Sequence, residues 1–139
     1  MPDIATPAEL ILARAAASRA GDFGFIYDSY LDDSNFRRQF PTRQEYLDFA
    51  REMLRDQVQL HECRILRERR AGDAAEVLFY QRLEVAGASS EMLEHAFLKR
   101  TPHGWRFDCS ERLERAALSR ALELIDWDDF ARAPDKVIF

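Results

Sequence analysis

The chain has 139 residues and a net charge of −5, with 47% hydrophobic and 32% charged side chains. That is a globular composition, long enough for one domain with a real core and unlike a disordered segment. The acid excess argues against nucleic acid as a partner, because phosphate contacts need clustered positive charge, and no run of about 18 apolar residues exists to span a membrane.

Met1-Pro2-Asp3-Ile4 has no basic segment followed by an apolar stretch, so no secretory leader is expected and a cytoplasmic location follows. Thr6-Pro7-Ala8-Glu9 reads as a helix start, with Thr6 as N-cap, Pro7 in the first turn and Glu9 closing a capping box. Leu10, Ala13, Ala17 and Ala20 recur at helical spacing until Gly21 supplies a stop. Asp22 caps a second, shorter helix whose apolar face is Phe23, Ile26, Tyr27 and Tyr30. Turn residues Asp32 to Asn35 and an irregular connector from Phe36 to Phe40 follow. Thr42-Arg43-Gln44-Glu45 is a further capping box, opening a third helix with Tyr46, Leu47, Phe49, Ala50, Met53 and Leu54 facing inward.

At Val58 the hydrophobic period changes to that of strands. Val58–Arg69, Ala75–Val85, Glu91–Arg100 and Trp105–Cys109 are read as four strands, joined by turns at Gly72, Gly87 and Gly104. Helices gathered ahead of consecutive strands predict an α+β domain with helices on one face of an antiparallel meander. Ser110 reads as the cap of a last helix from Glu111 to Ile125, so residues 111–139 are expected to form a C-terminal helical extension. No internal repeat or linker divides the chain, which is read as a single domain. In the extension Trp127 and Phe130, set among acidic residues, either anchor a partner or fold back over the core.

Few residues carry a chemical signature. Cys63 and Cys109 lack CxxC spacing and read as reduced core residues in a cytosolic chain. His61, His95, Cys63 and Cys109 approach one another only if the faces of the first and third strands coincide. Their spacing matches no zinc motif, so no metal is expected. Asp22, Asp28, Glu62, Glu84 and Glu94 are the carboxylates available for proton transfer, though capping and solvated sheet faces account for most of them. No GxSxG elbow and no phosphate-binding glycine loop is present. The basic run Arg64, Arg67, Arg69, Arg70 reads as a solvated strand end. Arg14, Arg19 and Arg82 stand on elements that should be half-buried, where a cation is either salt-bridged or anion-binding. Aromatics from Phe23 to Phe107 supply the core or line a pocket.

The stretch Thr6-Pro7-Ala8-Glu9-Leu10, Leu12-Ala13-Arg14, Ala17 and Gly21-Asp22-Phe23, with Ile26-Tyr27 beyond, resembles the start of NTF2-like domains. It is most similar to the central domain of YchJ-like proteins. Phe97-Leu98-Lys99-Arg100 and Gly104-Trp105-Arg106-Phe107 look like the last hairpin of that superfamily, so the resemblance spans residues 6 to 110. It implies a cystatin-like cone, with N-terminal helices packed on a curved antiparallel sheet, and a homodimer through the sheet's outer face. The SEC-C segments that flank this domain in YchJ-like proteins are absent here, so their metal binding does not transfer. Ala15 stands where those proteins carry an aromatic, and the acid/base pair of the ketosteroid-isomerase branch has no match.

These readings converge on a non-catalytic binding or interaction module with a small apolar-lined pocket for a small-molecule ligand and no cofactor. Tyr27, Tyr30, Arg82, Phe97 and Trp105 are the expected ligand-binding residues. The alternative is an NTF2-like enzyme catalysing proton transfer or hydration on a small organic substrate, with Asp28, His61 and His95 as catalytic candidates.

Overall fold

The computed structural model describes residues 4–133 and 136–138. Met1 to Asp3, read above for a leader, and residues 134, 135 and 139 of the expected extension lie outside the described residues. Four helices come first: α1 (Pro7–Ala20), α2 (Phe23–Asp28), α3 (Asn35–Gln39) and α4 (Arg43–Met53). Four long strands follow, β1 (Val58–Ala71), β2 (Ala74–Val85), β3 (Ala88–Thr101) and β4 (Gly104–Glu114). The chain ends with α5 (Trp127–Arg132) and a short strand, β5 (Val137–Ile138). The fold class is α+β, as the order of the two hydrophobic periods predicts.

The helix boundaries follow from local chemistry. Thr6 accepts a bond from the Glu9 amide at 3.1 Å, while the fully reciprocal box forms at α4. There the Glu45 amide donates to Thr42 and the Thr42 amide donates back to the Glu45 carboxylate. Gly21 ends α1 in the left-handed region, at φ 71°. The expected irregular connector at Phe36–Phe40 contains a single helical turn, α3, capped by Ser34, whose hydroxyl accepts from the Arg37 amide.

All pairings in the sheet are antiparallel, in the order β1-β2-β3-β4-β5. Register shifts in β1 at Leu60/Glu62 and Ile65/Arg67, and in the β3–β4 ladder at Phe97/Leu98, interrupt it. Such bulges bend a strand and increase its twist. The helices cover one face. Leu10 and Ile11 of α1 pack on Val77, Phe79, Ala96 and Trp105, all of them buried. Two parallel bridges, Ile4 with Gly104 and Tyr30 with Phe107, tie the helical layer to β4.

The C-terminal region departs from expectation. The helix predicted from Glu111 to Ile125 does not form: β4 runs on to Glu114, and only short 3-10 turns at Arg115–Ala117 and Leu122–Leu124 precede α5. The first half of β3 needs a hydrogen-bonding neighbour, and Glu111 to Glu114 supply it opposite His95 to Met92. A full ladder therefore outweighs the helical spacing of Leu113, Ala116 and Ala117. Residues 115–133 then fold back across the outer face of the sheet. Ile125 and Phe130 are buried there against Leu78, Tyr80, Leu93 and Leu113, with Trp127 half-buried beside them. Trp127 and Phe130 thus cover the sheet rather than standing out as anchors. The face that the resemblance offered to a dimer partner is occupied over β2, β3 and β4 by this segment.

Candidate functional site

The helical layer does not close completely on the sheet. A half-open cleft of about 890 Å³ remains between α1, α2 and α4 on one side and β1, β2 and β3 on the other. Its position follows from side-chain size. Toward the Trp105 end of the sheet, Leu10 and Ile11 fill the layer, whereas Ala15, Ser18 and Gly21 line it at the other end of α1. Phe23, Ile26, Leu60, Phe79 and Leu83 give the cleft apolar walls.

Two polar clusters stand in these walls. On the sheet, Glu94 is 2% exposed and accepts from Arg112 at 2.7 Å and from Gln81 at 3.1 Å. Neighbouring strands place the three on one face, since Glu94 is opposite Arg112 in the β3–β4 ladder and Gln81 belongs to β2. On the helical side, Arg14 donates to Ser29 Oγ at 2.6 Å and to the Tyr30 hydroxyl at 3.3 Å. Its guanidinium lies 4.0 Å from the Phe107 ring centre and 4.6 Å from that of Tyr30. Arg19, Arg55 and Asp56 complete the charged lining.

Burial shifts the titration of two residues of the lining, Tyr46 and Cys63. Burial raises the Tyr46 hydroxyl to about 12, so it remains a neutral donor at physiological pH. Burial, aided by the charge of Glu94, raises the Cys63 thiol to about 11. A thiol held protonated in this way is a poor nucleophile.

Among the expected ligand-binding and catalytic residues, only Tyr30 and His61 line the cleft. His61, at the β1 bulge, has Nε2 3.6 Å from Glu84. Tyr27 is buried within the helical layer, where its hydroxyl donates to the Phe40 carbonyl and Arg37 stacks on its ring. Asp28 is ion-paired with Arg43 at 3.1 Å, away from the cleft. Trp105 is 1% exposed and packs in the core under α1. Arg82 is exposed on β2, opposite Glu62 and Glu91, and does not reach the cleft.

His95 and Phe97 sit on the outer face of the sheet, which corrects the assumption that the β1 and β3 faces coincide. Cys63 belongs to the helix-side core, whereas His95 lies under the C-terminal cover, its ring 5.6 Å from Phe130 and 5.4 Å from Trp127. Its Nε2 is 2.7 Å from Glu76, and its Nδ1 is 3.3 Å from Glu111 but off line for a hydrogen bond. The four sequence-selected metal ligands are therefore not brought together, and among the described residues no group of three or more His, Cys, Asp or Glu is arranged to hold a metal ion.

Sequence reasoning missed Arg112 and Gln81. Arg112 falls in the stretch expected to be helical, and Ser110-Glu111-Arg112-Leu113-Glu114 carries no apolar–polar alternation that would mark it as strand; its place is set by pairing with β3. Among the described residues, no helix is long and apolar enough to cross a membrane.

No protein-family model matches this chain. No curated protein matches it either. The chain is similar in structure to RPA3114, a SEC-C motif containing protein from Rhodopseudomonas palustris known from a solution structure. The two share 20% identity with a TM-score of 0.59, over 76% of this chain and 77% of that one. At that identity the likeness is one of fold alone.

Proposed function

We propose that this chain is a non-catalytic binding module of the NTF2-like type, on the YchJ-like side of that superfamily, holding a small organic molecule between its helices and its sheet. The observation that carries the reading is the cleft, about 890 Å³ with apolar walls and two fixed polar clusters. That size and lining are typical of small-molecule sites. The SEC-C name of the structural neighbour supports the YchJ-like assignment. A cytoplasmic location remains part of the proposal. The homodimer through the sheet does not, since it would have to displace residues 115–133.

The enzyme reading needs a proton carrier in the cleft. Of the three catalytic candidates only His61 is there, and the buried carboxylate Glu94 is committed to Arg112 and Gln81. That favours the module. The test is an amide-resolved NMR titration of the chain with a panel of small aromatic and aliphatic molecules bearing anionic, neutral and cationic heads. Expected are shifts confined to cleft residues such as Ser18, Leu60 and Leu83, lost when Leu83→Trp fills the space. If no panel member shifts the cleft residues, or if Leu83→Trp leaves the shifts intact, the reading is wrong.

A further inference from the structure

The charge balance of the cleft narrows what it takes. Arg14, Arg19, Arg55 and Arg112 face only Glu94 and Asp56, in a chain whose net charge is −5. Arg112 and Glu94 neutralise one another at 2.7 Å. Arg14 is different, because its partners are two neutral hydroxyls and two ring faces. No carboxylate pairs with it among the described residues. A half-buried guanidinium is normally matched by a carboxylate, since its desolvation is otherwise uncompensated. Arg14 has five N–H donors, and the two hydroxyls do not exhaust them. Ser29 and Tyr30 fix its position, so little side-chain freedom is lost when a further acceptor arrives.

We infer that the cleft binds an organic carboxylate with an apolar, aryl-sized body, the carboxylate pairing with Arg14 and the body lying against Phe23, Ile26, Leu60 and Phe79. The inference rests on the proposed binding role and specifies its ligand class. Arg19, exposed five residues further along α1, adds positive charge to the same cleft, and neutral Tyr46 is a further donor in the lining. A carboxylate is favoured over a phosphate because the lining offers a single anchored fork and no glycine loop of backbone amides.

The test uses three probes with one ring system and different heads, 2-naphthoate, 2-naphthylmethanol and 2-naphthylmethylammonium, with 2-naphthyl phosphate as a fourth. Affinities come from calorimetry and NMR shifts on the intact chain. Expected is the order carboxylate, then neutral, then cation. Arg14→Gln should weaken 2-naphthoate at least about tenfold, the scale of one hydrogen bond to a charged group, while leaving 2-naphthylmethanol within about twofold. Arg19→Gln, at an exposed position, should weaken 2-naphthoate by a smaller, salt-sensitive factor and keeps the test valid if Arg14→Gln misfolds. Equal or tighter binding of the neutral or cationic probe, or tighter binding of the phosphate, overturns the ligand class but leaves the binding role standing. Shifts at the cleft by none of the four overturn both.

Discussion

Replacing Phe130 with Ala tests whether residues 115–133 are part of the folded core or a loosely attached tail. Phe130 is 1% exposed, packed with Ile125 on Leu78, Leu93 and Leu113 and edge-on to His95. Truncating a phenylalanine so enclosed removes its transfer free energy and leaves a cavity, at a cost of about 3–5 kcal/mol. With a urea slope of about 2 kcal/mol/M for a chain of this size, the unfolding midpoint should fall by about 2 M. Circular dichroism in a urea series measures it. Trp127 gives a local readout, because it lies beneath the Arg69 guanidinium at 4.1 Å and its emission should shift to the red if the cover loosens. A substitution on an unattached tail changes stability by no more than about 0.5 kcal/mol. A midpoint within about 0.5 M of the parent, with unchanged Trp emission, would refute the buried cover.

Three further outcomes follow from local geometry. Ala86, in the β2–β3 turn, has a φ of 50°, a region that favours glycine, so Ala86→Gly should raise stability by about 1 kcal/mol in the same urea assay; a loss would contradict the strained turn. The bond from Arg69 holds the Glu76 carboxyl below its ordinary value against the opposing effect of burial, with help from His95. The folded-state value is the lower one, so this stabilisation is complete above the unfolded carboxylate range near about 4.3 and is lost as pH falls through the folded value. Glu76→Gln should therefore flatten the acid limb of the stability–pH curve, and an unchanged limb would contradict the assignment. In an alkaline titration followed by phenolate absorbance, Tyr46→Phe should remove a step near 12, since burial raises that hydroxyl most. If that step survives in Tyr46→Phe, the burial of Tyr46 is not its cause.

Much of the fold is legible because its signals are local. Thr6 and Thr42 cap their helices through their own side chains, and Gly72, Gly87 and Gly104 occupy positive-φ turn positions between strands. The end of β4 was not legible, because Leu113, Ala116 and Ala117 fit a helical face and only the distant need of β3 for a partner decides the matter. The site was partly legible. Arg14 could be singled out as a cation on a half-buried element, but Glu94, expected on a solvated sheet face, is instead 2% exposed, because which sheet face the helices choose is a tertiary outcome. Alternation groups Leu93, His95 and Phe97 correctly onto one face without saying that this face lies away from the cleft. Bulges in β1 add to the difficulty, since a one-residue slip exchanges the faces for every later position.

The fold-back of residues 115–133 also sets an order of events as the chain is synthesised. The meander can assemble hairpin by hairpin as it leaves the ribosome, yet Leu78, Tyr80 and Leu93 stay bare until the covering segment has emerged. During that interval the nascent sheet presents a sticky apolar side to its surroundings. Premature stop codons between β4 and α5 should therefore yield insoluble product, whereas stops beyond Arg132 should be tolerated.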